Sequence, residues 1–263
     1  MPQYIEPMQT PPATAGLPSR GAGAWGRRLA AACRRAAGGR CAVCRGWCEG
    51  GLCPWCEARC AAVRPRCPGC AAALPAGSIP AGPPAPCARC LLAPPPWAAA
   101  LAGVDYGPPW DALLAELKFH ARPERAGVLL RPLLARLADA PPAPGMRLVP
   151  VPLARERLRE RGYNQSWELA RRLAPALGLE ARPEALERLR DTPHQLRLGR
   201  AARDANLRGA FMVAPRQAAW LRGAPVALVD DVLTAGATAR AAAGALLAAG
   251  AREVHVWVVA RTP

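Results

Sequence analysis

The chain has 263 residues, 51% of them apolar, and a formal net charge of +16. That length and composition allow one large domain or two small ones with a buried core, which excludes a chain too polar to fold. No apolar run reaches the length of a membrane span, so a helical membrane protein is excluded as well.

The charge is uneven. Residues 1–100 hold eleven Arg against Glu6, Glu49 and Glu57, a net of +8, and the other 163 residues also net +8. Two zinc ions, each bound by four thiolates, would lower the total toward roughly +12. A basic protein suits a polyanionic partner such as nucleic acid. The arginine excess also has a plain explanation: Lys118 is the only lysine, and Ala, Pro and Gly abound, as in proteins from GC-rich genomes.

In chain order, residues 1–24 are rich in Pro and poor in apolar residues and read as a disordered tail. Trp25 to Ala37 reads as a short helix. Leu29 to Cys33 superficially resembles a lipoprotein cleavage site, but its apolar run is too short and Arg34-Arg35 follow at once. The expected location is cytoplasmic.

All eleven cysteines lie between 33 and 90. Eight form Cys-x-x-Cys pairs: Cys41/Cys44, Cys53/Cys56, Cys67/Cys70 and Cys87/Cys90. Each pair can set two thiolates on one knuckle, and two knuckles complete a tetrahedral zinc site. Disulfides would need an oxidising compartment, which the absence of an export signal argues against. Sequential pairing groups Cys41, Cys44, Cys53 and Cys56, then Cys67, Cys70, Cys87 and Cys90; the spacing leaves a cross-braced arrangement open. Closed sites of this kind are structural. Cys33, Cys48 and Cys60 are left over. Trp47 and Trp55 interleave with Arg45 and Arg59, a pattern suited to stacking on bases while meeting phosphates. One of the two Trp is expected to cover the small ribbon core instead.

Pro94-Pro95-Pro96 and Pro141-Pro142-Ala143-Pro144 break the chain. Between them, Trp110 to Ala138 has helical spacing, and residues 97–140 are expected to be mainly helical. Lys118, beside Phe119 at a helix end, reads as a surface residue. From Met146 strands and helices alternate. Arg147 to Val151 reads as a strand, Asn164 to Leu177 as a helix and Phe211 to Val213 as an edge strand. Val226 to Val229 follows as a buried strand, Ala237 to Ala249 as a helix and Glu253 to Ala260 as a final strand. Alternation of this kind predicts an α/β domain with a mostly parallel sheet covered on both faces. Its ligand is expected beyond the carboxyl ends of the strands. The expected organisation is a tail and short helix over 1–37, a cysteine-rich module over 38–93, a helical linker or hood over 94–144 and the α/β domain over 145–263.

Residues 224–240 read APVALVDDVLTAGATAR. A buried strand runs into Asp230-Asp231, then a loop of Thr234, Ala235, Gly236, Ala237 and Thr238 leads into a helix. Loop amides and a helix N-terminus converge on an anion, and two carboxylates at a strand end can accept hydrogen bonds from ribose hydroxyls. The alternative use of these residues is helix capping, but two adjacent carboxylates repel.

This stretch resembles the phosphoribosyl-diphosphate (PRPP) motif of type I phosphoribosyltransferases. The whole chain, over about residues 38–263, resembles the ComF family: a double zinc ribbon followed by a type I phosphoribosyltransferase-like domain. The likeness rests on the cysteines and on Tyr106 with Lys118-Phe119. It rests also on VPVPLARERLRERGYNQS (Val149 to Ser166), DTPHQLRLGRAARDANLRGAF (Asp191 to Phe211) and LVDDVLTAGAT. Ala235 departs from it, since many relatives have Thr there; the loop loses a side-chain donor and keeps its amide.

The resemblance implies that Val151-Pro152-Leu153-Ala154 forms the diphosphate loop, with Leu153 and Ala154 against the ligand. Arg157 and Arg161 would neutralise the diphosphate, Arg161 being preferred to Arg155. Gln195, Arg203 and Asn206 match a mobile loop and its sequel, from which Arg203 would reach the diphosphate; the alternative is that the three hold the loop onto the sheet. It implies two structural zinc ions, Mg²⁺ with PRPP, and a role in natural competence, in which single-stranded DNA and the competence machinery are partners. The alternative is an active Mg²⁺-dependent phosphoribosyltransferase of nucleotide or small-molecule metabolism with no DNA role.

Overall fold

The structure, a computed structural model, describes residues 39–75, 85–189 and 209–263. The tail, the helix expected over Trp25 to Ala37, Cys33, and Gln195, Arg203 and Asn206 lie outside the described residues.

Strands β1 (Gly39–Arg40) and β2 (Trp47–Cys48) pair antiparallel. Helix α1 (Pro54–Cys60) starts directly after Cys53, with Pro54 at its first position, where no amide is needed. Helix α2 (Ala88–Leu92) starts in the same way after Cys87. Each short helix thus carries the fourth cysteine of its group, Cys56 or Cys90, in its first turn.

Beyond them come β3 (Ala99–Asp105), α3 (Trp110–Phe119), α4 (Arg125–Asp139), β4 (Arg147–Pro150), α5 (Arg155–Arg161), α6 (Gln165–Leu177) and β5 (Glu180–Ala181). They are followed by β6 (Leu186–Arg188), β7 (Phe211–Val213), α7 (Ala218–Leu221), β8 (Pro225–Leu233), α8 (Ala237–Ala248) and β9 (Glu253–Arg261). Five strands form one parallel sheet in the order β3-β9-β8-β4-β5.

The two central strands are apolar nearly throughout because both their faces are covered. Ala227, Val229, Trp257 and Val259 face a core made with Leu129 and Leu133 of α4 and Leu169 and Leu173 of α6. Their alternates, Val226, Leu228, Val256 and Val258, face Ala239, Ala242, Ala243 and Leu246 of α8. Helix α4 lies close on β3 because position 103 is glycine: a Cβ there would come 2.9 Å from the Leu133 amide nitrogen.

Three expectations need correction. Residues 97–140 do hold two helices, α3 and α4, but they open on a strand the expectation lacked: Ala99–Asp105 is the edge strand β3, in register with β9 from Ala99 opposite His255. Its sequence, AALAGVD, has one β-branched residue, so the strand owes its state to pairing rather than to propensity. Phe211–Val213 is a strand, but it pairs antiparallel with β6 outside the main sheet. The strand expected to stop at Val229 runs on to Leu233. Pairing with β4 ends at Pro150 opposite Val229, whereas pairing with β9 continues to Leu233 opposite Arg261.

Candidate functional site

That uneven ending builds the site. Past Val229 strand β8 has lost its β4 neighbour, so Asp230 and Asp231 stand beyond the carboxyl end of β4 while β9 still holds their backbone. The Asp230 carboxylate accepts from Ser166 Oγ at 2.8 Å and from the Asp231 amide at 2.9 Å. Burial, and then the charge of Asp231, raise the Asp230 carboxyl to about 7. Asp231 is buried and its Oδ2 pairs with Lys118 Nζ.

Ser166 reaches Asp230 because α6 is capped in place. Asn164 Oδ1 accepts from the Ser166 amide, while its Nδ2 donates to the Val151 carbonyl at the end of the neighbouring strand. Arg161 ends α5, donates to Gln165 Oε1, and stacks its guanidinium 5.5 Å from the Phe119 ring centre. Burial lowers its pKa from the ordinary arginine value, and the Asp231 charge works against that shift. Arg157 is exposed on the same helix, with no ion pair among the described residues. Leu153 is half-buried and Ala154 buried, in the turn between β4 and α5.

The glycine loop follows two residues after the carboxylates. Thr234 is exposed, Ala235, Ala237 and Thr238 are half-buried, and Gly236 is buried with φ +83°. A side chain at Gly236 would be strained by that φ and crowded by Trp97, whose ring would lie 3.3 Å from a Cβ. Helix α8 begins at Ala237, so its opening amides have no partner within the helix and are available to an acceptor.

The cysteines form two separate groups, in sequential rather than cross-braced pairing. Cys41, Cys44, Cys53 and Cys56 bring their sulfurs within 4.8 Å of one another, as do Cys67, Cys70, Cys87 and Cys90. Four thiolates about 2.3 Å from a tetrahedral zinc lie about 3.8 Å apart. The Cys44–Cys53 and Cys70–Cys87 sulfurs are each 3.7 Å apart, which fits. Amides are aimed at the sulfurs, from Cys53 to Cys41 at 3.4 Å and from Cys87 to Cys67 at 3.2 Å. Burial alone would raise these thiols, but amides led by that of Cys53 hold Cys41 at about 6, and amides led by that of Cys87 hold Cys67 at about 7. Both groups suit a structural zinc ion. Cys48 and Cys60 pack at the edge of the core.

Two residues at the carboxylates do not stand out in the sequence. Lys118, expected at the surface, reaches Asp231; its signals were being the only lysine and lying in a stretch that carries the family likeness. Ser166 closes the quoted Val149 to Ser166 stretch, but only the cap at Asn164 reveals its direction. Trp47 and Trp55 are both exposed, at 81% and 65%, so neither covers the ribbon core as one was expected to. Arg59 lies 5.4 Å over the Trp55 ring.

No protein-family model matches the chain. Known relatives do. DNA utilization protein YhgH of Salmonella typhi is 39% identical over 219 residues, covering 81% of this chain and 91% of the relative. YhgH of Escherichia coli K12 is 39% identical over 181 residues, 67% of this chain and 78% of the relative. Competence protein F of Haemophilus influenzae is 30% identical over 231 residues, 84% of this chain and 96% of the relative. With this identity over most of both chains, two four-cysteine groups and a parallel sheet of the phosphoribosyltransferase kind, the chain belongs to the ComF family.

Proposed function

We propose that this protein binds PRPP with Mg²⁺ at the strand-end site and acts in the cytoplasm on internalised single-stranded DNA during competence or DNA utilization. The observation that carries the reading is the Asp230-Asp231 pair, freed of its β4 neighbour and followed at once by a glycine loop at a helix N-terminus. The carboxylates would accept from the ribose hydroxyls. The amides of Ala235, Gly236, Ala237 and Thr238, with the Thr234 and Thr238 hydroxyls, would cradle its phosphate. Arg161 and Arg157, with the Leu153-Ala154 turn, would meet the diphosphate, and Arg203 would join from outside the described residues. Mg²⁺, when bound, supplies charge to offset the diphosphate. Lys118, which pairs with Asp231, would give up that carboxylate as ligand arrives.

The DNA role is supported by the relatives' names and by the exposed Trp47, Trp55 and Arg59 of the first cysteine module. Binding of single-stranded DNA should fall steeply with salt, because each neutralised phosphate releases a counterion. No binding at low salt would remove the DNA role and leave the phosphoribosyltransferase. Incubation with PRPP and Mg²⁺ against a panel of bases and amines, scored for diphosphate release, separates binding from turnover.

A further inference from the structure

The two cysteine modules are anchored to different parts of the α/β domain. The first is tied to α3 and α4. Arg131 donates to the Leu52 carbonyl at 2.8 Å and pairs with Glu57, and the Trp110 indole donates to the Cys60 carbonyl at 2.9 Å. None of these bonds reaches the glycine loop.

The second module is tied to the loop at three points. Arg261, 4% exposed at the end of β9, donates from Nε to the Cys70 carbonyl at 2.8 Å and from Nη1 to the Leu233 carbonyl at 3.1 Å. The Trp97 indole donates to the Gly69 carbonyl at 2.6 Å, and the same ring fills the space beside Gly236. Arg89, between Cys87 and Cys90, donates to the Ala235 carbonyl at 3.2 Å. Arg89 of the module thus meets Ala235 directly, while Arg261 and Trp97 bridge Cys70 and Gly69 to Leu233 and Gly236.

We propose that the second four-cysteine group is the buttress of the 234–238 loop, with Arg261 as its positioning residue. The knuckle carrying Gly69 and Cys70 keeps its shape while a metal holds its sulfurs, because a thiolate cluster does not support itself. When the metal leaves, the Cys70 and Gly69 carbonyls lose their fixed places. A buried guanidinium deprived of an acceptor is costly, so Arg261 and Trp97 follow, and the loop loosens. By linkage, ligand at the loop retains the second metal and leaves the first unaffected. This last step rests on the loop being the ribose-phosphate site proposed above.

The test uses the full-length, zinc-loaded protein. Amide hydrogen exchange over residues 233–238 should quicken at least about tenfold in Arg261→Gln and stay unchanged in Arg131→Gln, which cuts the equivalent tie of the first module. Unchanged exchange in Arg261→Gln overturns the proposal, as does equal quickening in both variants. Should Arg261→Gln fail to fold, Trp97→Phe, which removes only the indole donor and part of the ring, gives the same readout. Under a chelator, PRPP with Mg²⁺ should slow release of one zinc per chain, the one missing from Cys70→Ser. In a protein that binds PRPP, equal release of both metals with and without it contradicts the coupling. If the loop quickens in Arg261→Gln but the parent protein binds no PRPP, the buttress stands and the ribose-phosphate reading falls.

Discussion

Asp230 and Asp231 are adjacent in sequence yet meet different surroundings. Asp231 has Lys118 as a counter-ion. Asp230 has a serine hydroxyl and an amide, and its carboxyl is raised to about 7 by burial and by its neighbour. A folded-state value above the unfolded one means stability that is full below the ordinary aspartate range and is lost as pH rises through about 7. Asp230 should therefore contribute less to the stability of the ligand-free protein as pH rises from 4 to 8, and Asp230→Asn should remove that one contribution. In thermal denaturation the variant should melt higher than the parent at pH 8, by at least about 2 °C, and no higher at pH 4. A parallel pair of profiles would exclude the assignment. Lys118→Met leaves Asp231 without its cation and should destabilise the ligand-free protein by about 2 kcal/mol at neutral pH, in denaturant titration. The carboxylates themselves are plain in the sequence because they end an apolar run before a glycine loop. Their partners are not, since Ser166 and Lys118 come from helices that only the fold brings to the strand end.

At the scale of elements, what was legible follows from how local the signal is. The Cys-x-x-Cys knuckles declare themselves by spacing, and α6 and α8 by their periodicity. The cysteine spacing left the pairing of the knuckles open, because which pairs meet depends on the chain between them. Strand β3 escaped notice because its Ala- and Gly-rich sequence lacks strand propensity and its state is imposed by β9. The length of β8 escaped for a related reason: one neighbour ends at Pro150 and the other does not. The sequential pairing predicts that each group holds its own metal. Purified protein should carry two zinc ions per chain, and Cys44→Ser or Cys70→Ser should each remove one, by metal analysis, while residues 145–263 outside the 233–238 segment stay folded. A well-folded, zinc-free N-terminal module would contradict this.

Over the whole molecule, the two proposed ligands fall on separate regions. The first cysteine module presents Trp47, Trp55 and Arg59 outward, and the proposed sugar-phosphate site lies at the carboxyl end of β4. If the module carries the DNA, Arg45→Glu with Arg59→Glu should weaken single-stranded DNA binding and flatten its salt slope, measured by fluorescence anisotropy across salt. Trp47→Ala or Trp55→Ala should cost about 1–3 kcal/mol where the ring stacks on a base. Binding untouched by these changes would place the footprint elsewhere. The central claim is narrower than the DNA role: a ribose diphosphate sits where β8 outruns β4. Calorimetric titration of PRPP with Mg²⁺ tests it directly. With Asp230 and Asp231 both replaced by Asn, affinity should fall about tenfold or more, at least about 1.4 kcal/mol. Equal affinity in the parent and the double variant, or no binding to either, would contradict the account.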